Sequence, residues 1–413
     1  MRRRWHCLAL VLACSGAPMA TAVATTTPAL QLCETRPLET TLGDSTLPTA
    51  QASWVEMIDG AKRTVDLEHF YLSHRAGQAL QPVIDALGRA SGRGVKVRLL
   101  LDAGIYATYP RTADSLATLS GVTLRRIDVK RQGGGIQHAK FMVVDRADAF
   151  IGSQNLDWRA LSHIHELGVR MRDPVLAGAV ARVFDRDWAS SDTTRPAPSA
   201  AANPPKWPRR VTMPDGQADV WVGASPMSMD PGLPWDRGLV LARIHAARQE
   251  IVAQVLQYGV SGHGKADSTL HHALLAALKR GVKVKLIVSD WVVGGRNEDA
   301  LRDLARHGAQ VRISRLEQWS EGYIPFARVE HCKYLVTDSA WLWVGTSNWE
   351  PSYFLDSRNL GVVMHHVGLA RQARGIFERS WTAPSALAFG PTTKLEKTEH
   401  GMTAPAGSKL YGE

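Results

Sequence analysis

The sequence has no uninterrupted run of 18 apolar residues, so no segment predicts a membrane-spanning helix. It is also poor in cysteine: of four, only Cys33 and Cys332 follow residue 24. One disulfide is the most that this pair can form, and we interpret Cys332 as a small buried residue instead. The chain is nevertheless 45% apolar, which is enough to bury one large core or two ordinary ones.

The beginning of the chain, residues 1–24, has the pattern of a secretory signal. Arginines at positions 2–4 precede the mostly apolar stretch Trp5–Ala13 and the small residues Ala20–Ala22. We therefore expect export to the periplasm or the medium, with lipid modification at Cys14 as the alternative. Removal of residues 1–24 takes away three arginines and no acids, so the formal charge falls from +10 to +7.

The chain contains an internal repeat. Gly94–Val97 recurs as Gly281–Val284, a shift of 187 in the numbering, and further along the shift becomes 193. The matches at the longer shift are His138 with His331, Gly152 with Gly345, Asn155 with Asn348, Phe184 with Phe377, and Trp188 with Trp381. The second half therefore holds six extra residues between positions 288 and 331, and the halves should be related by a pseudo-twofold axis.

Each half alternates buried strands with amphipathic helices. Predicted strands are Val65–Tyr71, Val95–Leu101, Ile251–Gln257 and Val282–Val288, with helices Gln81–Ser91 and Ser268–Arg280 between them. The pattern predicts an α/β fold of two similar α/β/α halves packed as an internal dimer. We place the first half at 40–194, a Pro-rich linker at 195–215, the second half at 216–385 and a disordered tail at 390–413.

One motif occurs in both halves. His138 and Lys140 precede an apolar segment rich in β-formers, and His331 and Lys333 do the same in the second half. Residues two apart on a strand share a face, so each His should point the same way as its Lys. At the same distance after each His, a second strand end carries a short polar sequence. These sequences are Gly152-Ser153-Gln154-Asn155 and Gly345-Thr346-Ser347-Asn348.

These residue types suit chemistry at a phosphodiester. A neutral imidazole can attack phosphorus and form a covalent intermediate, while a second, charged imidazole protonates the leaving oxygen. The two lysines and the side chains of Ser153, Thr346, Asn155 and Asn348 can hold the non-bridging oxygens as charge develops. This scheme needs no metal and no cofactor. A zinc site is the alternative, although lysine is a poor ligand and the spacings match no zinc pattern.

The paired His-x-Lys-x4-Asp motifs, each followed by Gly-Ser/Thr-x-Asn, resemble the phospholipase D superfamily over residues 40–385. Residues 155–159 with 166–168, and 347–349 with 353–354, resemble its animal lysosomal and poxviral branch. The resemblance implies a bilobal α/β/α/β/α fold with pseudo-twofold symmetry and a phosphohistidine intermediate. It also implies an acidic residue that orients each catalytic histidine.

By this resemblance we expect His138 to be the nucleophile and His331 the general acid, an order that the symmetry of the repeat leaves open. Glu166, which follows His138 further along the first half, fits the orienting role. Its counterpart in the second half is Asn359, and the nearby acid there is Asp356, which we assign the same role.

Two further pairs of residues are candidates for a role near the site. The motif aspartates Asp145 and Asp338 lie an odd number of residues from their histidines, so on a regular strand they face away and support the site. Glu68 and Gln254 are polar residues in otherwise apolar strands. They either line the bottom of a substrate pocket or are satisfied at a strand end.

Aromatic residues mark a possible entrance. Trp158 and Trp349 closely follow the two Gly-Ser/Thr-x-Asn turns, so they either shape a substrate pocket or pack in the core. Segments 102–111 and 317–328 carry further aromatic rings and could form the mouth. The second of these segments lies where the six extra residues must fall.

Phospholipid and single-stranded nucleic acid both suit such a site as substrate. The modest charge of +7, without dense basic clusters, and the expected export favour phospholipid slightly, with peripheral membrane contact. A third hypothesis is an inactive anion-binding protein, which the intact motifs disfavour. We infer no obligate protein partner and expect a monomer with an internal pseudo-dimer.

Overall fold

The computed structural model describes residues 27–132, 134–194, 204–229 and 232–411. The predicted signal peptide and residues 195–203 of the predicted linker lie outside these ranges. The described residues form two large mixed β-sheets with helices on their faces and two small two-stranded sheets, which confirms the predicted α/β class.

The first half begins with a strand and ends with a long helix, which Asp173 caps by accepting from the backbone N–H groups of Val175 and Leu176. Its strands are β1 (Leu30–Thr35), β2 (Thr64–His69), β3 (Leu72–Ser73), β4 (Lys96–Asp102), β5 (Val122–Ile127), β6 (Phe141–Val144), β7 (Asp148–Gly152), β8 (Leu156–Asp157) and β9 (Glu166–Met171). Its helices are α1 (Ala50–Gly60), α2 (Gln81–Gly92), α3 (Ala103–Tyr106), α4 (Arg111–Ala117) and α5 (Pro174–Ser190).

The second half repeats this order with additions at both ends. Its strands are β10 (Arg209–Met213), β11 (Gly216–Ser225), β12 (Glu250–Val255), β13 (Ser261–Gly262), β14 (Lys265–Ala266), β15 (Lys283–Ser289), β16 (Gln310–Ser314), β17 (Lys333–Thr337), β18 (Trp341–Gly345), β19 (Asn359–His365) and β20 (Ala386–Phe389). Its helices are α6 (Asp236–Ala246), α7 (Thr269–Lys279), α8 (Glu298–Arg306), α9 (Pro351–Leu355) and α10 (Val367–Thr382).

The strand orders of the two large sheets correspond. The first sheet runs β1-β9-β7-β6-β2-β4-β5 and the second runs β10-β11-β19-β18-β17-β12-β15-β16-β20. In each, three parallel strands lie at one side (β2, β4, β5 and β12, β15, β16), and the motif strand β6 or β17 pairs antiparallel with the first of them. The internal repeat read from the sequence is therefore an internal structural repeat.

The two halves share one core. The largest buried apolar cluster combines residues of both sheets with residues of α5 and α10, including Phe184 and Phe377, while two further clusters pack α1 and α2, or α6 and α7, on the outer faces. The layers therefore run α/β/α/β/α. Each sheet is covered on both faces, which explains why its central strands read as continuous apolar runs.

Three predicted boundaries differ from the structure. The first half begins at β1, before residue 40, because this strand pairs along the edge of β9. The predicted linker contains β10, which pairs with β11. The tail, expected to be disordered from residue 390, packs on the body as far as residue 411, where the Tyr411 N–H donates to the Tyr323 carbonyl at 2.9 Å. Tertiary partners order this segment, and composition does not record them.

In the described ranges, no helix combines the length and the apolar character needed to cross a membrane.

Candidate active site

The two motifs meet at the boundary between the halves. The His138 N–H donates to the Arg358 carbonyl at 3.0 Å, and the His331 N–H donates to the His165 carbonyl at 2.9 Å. Isolated parallel bridges join Gln137 to Arg358 and His165 to Glu330. Each motif is therefore paired with the segment that enters β9 or β19 of the opposite half.

Because each motif pairs with the opposite half, each histidine ring is oriented by a side chain of the other half. His138 Nδ1 lies 3.0 Å from Asn359 Oδ1, and His331 Nδ1 lies 2.7 Å from Glu166 Oε2. Glu166 follows His165 in the chain. Because the His165 carbonyl accepts from the His331 N–H, the Glu166 carboxylate lies beside the His331 ring. Glu166 thus orients a histidine, but the one in the other half. Asn359, which the sequence shows only as the counterpart of Glu166, orients His138.

Asp356 does not orient a ring. Its carboxylate lies 3.5 Å from Lys265 Nζ, and its backbone packs on Gly135 in the loop before the first motif. A Cβ on Gly135 would come within 2.6 Å of the Asp356 carbonyl, and φ there is +111°. The site role assigned to Asp356 is therefore wrong: it supports the contact between the halves.

Both motif lysines are buried beneath the histidines. Lys140 donates to the His138 carbonyl and Lys333 to the His331 carbonyl, the latter at 2.7 Å. Burial lowers the pKa of Lys333 to about 8, with Glu166 opposing the shift. Burial and the neighbouring Lys333 lower the pKa of Lys140 as well. The lysines place positive charge below the site without lining its cavity.

The electrostatic setting of the two rings is unequal. Burial and the lysines lower the pKa of both His138 and His331, but only His331 has a carboxylate on its Nδ1 to favour the charged form. Burial in turn raises the pKa of Glu166 to about 8, against the pull of Lys333 and Lys140. His331 Nδ1 and Glu166 therefore share one proton and titrate as a pair.

Ser153 and Thr346 were expected to hold phosphate oxygens, but both are fully buried outside the cavity lining. Ser153 Oγ accepts from the Leu167 N–H at 3.0 Å, and Thr346 Oγ1 accepts from the Leu360 N–H at the same distance. Thr346 also donates to Asn359 Oδ1 at 2.7 Å. These hydroxyls fix the strands that carry the orienting residues.

The motif aspartates occupy equivalent supporting positions, as their odd spacing predicts. Asp145 accepts from the backbone N–H groups of residues 62, 63 and 64 at 2.7–2.8 Å. Asp338 accepts from those of residues 248, 249 and 250 at 2.8–3.0 Å. Burial opposes the effect, but these donors lower the pKa of both carboxyl groups. Each aspartate ties its motif strand to the start of β2 or β12.

A cavity of about 420 Å³ opens above the two histidines. Besides both rings it is lined by Phe70, Tyr71, Ile105, Tyr109, Ile136, Asn155, Arg159, Ile164, Leu256, Gln257, His263, Trp291, Phe326, Val329, Asn348 and Tyr353. Asn155 and Asn348, predicted from the repeat, are the polar groups placed symmetrically beside the histidines. The predicted mouth segments contribute Ile105, Tyr109 and Phe326.

Several lining residues were missed from the sequence. The Tyr353 ring lies 4.7 Å from the His138 ring, and Phe70 lies 5.4 Å from it on another side. Phe70 directly follows β2, whose carboxyl end could have indicated a wall of the site. His263 comes from the small β13–β14 hairpin and had no signal in the repeat.

Glu68 and Gln254 do not line the cavity, so their role as substrate ligands is not supported. Glu68 accepts from Gln137 at 3.0 Å, and Gln254 donates to Glu330 at 2.6 Å. Both are fully buried under the segment that precedes a catalytic histidine. Both side chains hold a motif from below, and Gln254 is hydrogen-bonded through both its amide nitrogen and its amide oxygen.

Trp158 and Trp349 also lie outside the cavity lining. Trp158 packs against His163 with ring centroids 5.6 Å apart, and Trp349 is fully buried beside Trp343 and Tyr258. Both tryptophans are therefore core residues, which is the alternative interpretation of the sequence.

His165, Glu330 and Cys332 are the only described residues whose ligand atoms cluster closely enough to hold a metal ion. Both ring nitrogens of His165 are already engaged, with Glu330 at 2.7 Å and Glu34 at 2.8 Å. We interpret the group as a buried charge network between the halves. Cys332 and Cys33 are both free and buried, so the possible disulfide is not formed.

Comparison with known proteins finds the same domain in both halves. The chain matches the family model described as "Cardiolipin synthase, PLD-like domain" twice, over residues 54–188 and 240–381. It is 28% identical over 376 residues to the 5'-3' exonuclease PLD3 of Rattus norvegicus, covering 82% of this chain and 75% of that protein. It is 29% identical over 385 residues to phospholipase D Z of Dictyostelium discoideum, covering 86% and 89%.

A crystal structure of phosphatidylserine synthase from Haemophilus influenzae has the same fold, with a TM-score of 0.60 at 14% identity over 82% of this chain and 85% of that one. The family model covers more than half of the chain and recurs in both halves. The chain therefore belongs to the PLD-like family of the phospholipase D superfamily, whose chemistry is of the phosphodiesterase type.

Proposed function

We propose that this enzyme cleaves phosphodiesters through a phosphohistidine on His138, with His331 as general acid. The observation that carries the assignment is the unequal pair of groups on the two Nδ1 atoms, an amide on one ring and a carboxylate on the other.

The hydrogen bonds of Asn359 support a proton on His138 Nδ1. Asn359 Nδ2 donates to the Tyr353 carbonyl at 2.8 Å. A carbonyl can only accept, so the atom of the Asn359 amide that faces it must be the nitrogen. Asn359 Oδ1 therefore faces His138, where it accepts the proton on Nδ1 at 3.0 Å. Burial and the two lysines lower the pKa of His138, which favours the neutral ring, so Nε2 keeps its lone pair on a ring that lines the cavity. A neutral imidazole in this tautomer is the form that attacks phosphorus.

His331 has the opposite requirement. The Glu166 carboxylate and His331 Nδ1, 2.7 Å apart, share one proton, and Nε2 then carries a second proton that can pass to a leaving oxygen. The same carboxylate favours the return of the ring to its charged form in the second step. This division of roles matches the order expected from the family resemblance.

The proposed reaction has two steps. His138 Nε2 forms a bond to phosphorus as the bond to the leaving oxygen breaks, and that oxygen takes the proton from His331. A water molecule next gives a proton to neutral His331 and attacks phosphorus, which breaks the N–P bond and releases a phosphomonoester. Asn155, Asn348 and the buried lysines stabilise the negative charge that develops on the non-bridging oxygens.

For the substrate, we propose the end of a single-stranded nucleic acid ahead of phospholipid. Phe70, Tyr71 and Tyr109 line the cavity, and such rings stack on bases without regard to sequence. The large apolar side chains that are exposed in the described ranges are scattered, and none lines the cavity: Leu38, Leu119, Val175, Met227, Val367 and Met402. A lipid-binding mouth needs a continuous apolar rim.

The modest net charge, the lack of dense basic clusters and the expected export favour phospholipid slightly, whereas the aromatic lining supports nucleic acid. The rat relative's name, 5'-3' exonuclease, supports the first substrate, and the name of the Dictyostelium relative, phospholipase D Z, supports the second. Purified protein in EDTA should therefore be given single-stranded DNA with free or phosphorylated 5′ ends and, separately, phosphatidylcholine with ethanol. Shortening of the DNA selects the nuclease, and phosphatidylethanol selects the lipase.

The mechanism has its own test with an activated aryl phosphodiester, whose leaving group needs no proton. His331→Asn should accumulate a covalent phosphoenzyme, whereas His138→Asn should form none. Trapping in the His138→Asn protein would reverse the two roles. Absence of turnover and of trapping in the unmodified protein would refute the phosphodiesterase itself.

A further inference from the structure

One wall of the catalytic cavity is held by the C-terminal strap, which we define as residues 390–411. Phe326 and Trp291 both line the cavity, and both contact His400 of the strap. The Phe326 N–H donates to the His400 carbonyl at 2.8 Å, and the Trp291 and His400 rings lie 5.6 Å apart. His400 is itself buried and anchored to Asp290, with Nε2 3.0 Å from Oδ1.

The end of the strap fastens the aromatic loop, residues 317–328, to the first half. The Tyr323 N–H donates to the Lys409 carbonyl at 2.8 Å, beside the bond from Tyr411 to Tyr323. The Tyr411 ring lies 4.6 Å from the Trp319 ring, and the Arg75 guanidinium of the first half lies 4.6 Å from the Tyr411 centroid. The strap therefore spans from the second half to the first across this loop.

The aromatic loop adopts a conformation that needs such support. Phe326 and Arg328 have φ values of +58° and +57°, in the left-handed region that bulky residues rarely adopt. Arg328 is buried and donates to the carbonyls of Glu317 at 2.7 Å and Leu38 at 2.6 Å. Strained backbone of this kind persists where surrounding contacts over-determine it, and such positions concentrate at ligand sites.

The loop also lies between β16 and the second motif, where the second half carries its six extra residues, so the corresponding segment of the first half, between β5 and His138, is shorter. A cavity of about 420 Å³ fits one drug-sized group, such as a single nucleotide unit. Phe326 lines this cavity, so a polymer that continued past the scissile phosphate on the side of the aromatic loop would meet its ring.

We infer that the strap and the aromatic loop form a specificity wall that admits a chain end and rejects the interior of a polymer. The inference rests on the proposed function and concerns its substrate range. His400 and Tyr411 are positioning residues here, because they act through Phe326, Trp291 and Trp319. Loosening the wall should widen the substrate range and leave the chemical step intact.

The test compares the unmodified chain with the double variant His400→Ala/Tyr411→Ala. Met402→Ala is the matched control, because Met402 lies on the same strap and is 68% exposed. Each protein receives bis(p-nitrophenyl) phosphate, linear single-stranded DNA and circular single-stranded DNA of the same sequence. Thermal unfolding of each protein verifies that the variants are folded.

We expect the unmodified chain and the control to cleave circular DNA at least about tenfold more slowly than linear DNA. In the double variant this ratio should shrink by at least about tenfold, while kcat/KM for the aryl diester changes by less than about twofold. A merely structural role would lower all three activities together.

Three results would overturn the specificity wall: parallel loss of all activities in a folded double variant, an unchanged ratio of circular to linear cleavage, or aryl turnover without cleavage of either DNA. Failure of the unmodified chain to cleave the aryl diester would instead refute the proposed function, so the two failures are distinguishable.

Discussion

Replacing the neutral acceptor on His138 with a charged one, Asn359→Asp, tests the proposed division of roles directly. The two side chains are nearly isosteric, so the ring should keep its place. A carboxylate on Nδ1 favours the imidazolium, so the pKa of His138 should rise and the neutral nucleophile should be lost at acid pH. The acid limb of the rate profile should therefore move to higher pH.

The size of the shift follows from the geometry. A full negative charge 3.0 Å from Nδ1 attracts an imidazolium by about 5 kcal/mol at an effective dielectric of about 20. The cost of burying the carboxylate offsets part of this, and neighbouring opposite charges usually move a pKa by about 1–3 units. Below the raised pKa, the neutral fraction of His138 falls about tenfold per pH unit. The lost donor to the Tyr353 carbonyl adds a stability cost of about 1–3 kcal/mol.

The assay is kcat/KM for bis(p-nitrophenyl) phosphate as a function of pH. Glu166→Gln is the matched control, because it removes charge from the other ring and should move only the basic limb, to lower pH. If Asn359→Asp lowers the rate equally at every pH and leaves the acid limb in place, Asn359 acts by geometry alone. The electrostatic assignment of the roles would then be refuted.

Three further outcomes are expected. Burial raises the pKa of Glu166 to about 8. The Glu166–His331 pair should therefore lose its proton above about pH 8, and kcat/KM of the unmodified enzyme should fall there. A profile that stays flat well above pH 8 would contradict this. Asp338→Asn weakens hydrogen bonds from three backbone donors, so it should lower the free energy of unfolding in urea by about 1–3 kcal/mol. The value of kcat/KM per folded molecule should be retained. Because the pKa of Asp338 is lowered in the folded protein, its contribution to stability should be complete above the ordinary carboxyl pKa and lost as the pH falls through the lowered value. Expressed in a secreting bacterium, the mature chain should begin at Thr25 by intact mass, whereas a lipid-modified Cys14 would show the alternative processing.

Sequence spacing was a reliable guide to whatever repeats. The 193-residue shift between the motifs located His138 and His331, and Asn155 and Asn348, because each depends on a local pattern present twice. The odd spacing of Asp145 from its histidine placed that carboxylate behind the site for the same reason. Strand alternation is a local property and needs no knowledge of the partner half.

Spacing failed where residues act across the halves. Glu166 was placed by its distance from His138 along the chain, yet it contacts His331. Asp356 was chosen because it was the nearest acid, although an amide, Asn359, fills the equivalent place. Ser153 and Thr346 have the right chemistry for a phosphate, but they lie under the strands rather than in the cavity. Distance along the chain carries no information about such contacts.

By itself, the sequence determined the repeat, the α/β layers and the catalytic residue types, since hydrophobic periodicity and motif spacing are local. The tertiary structure alone decided the exchange of orienting groups between the two histidines and the closing of one cavity wall by a tail that composition marked as disordered. Both depend on contacts between segments that lie far apart in the chain, such as His165 with Glu330 and His400 with Phe326. Only the packing of the two halves brings such segments together.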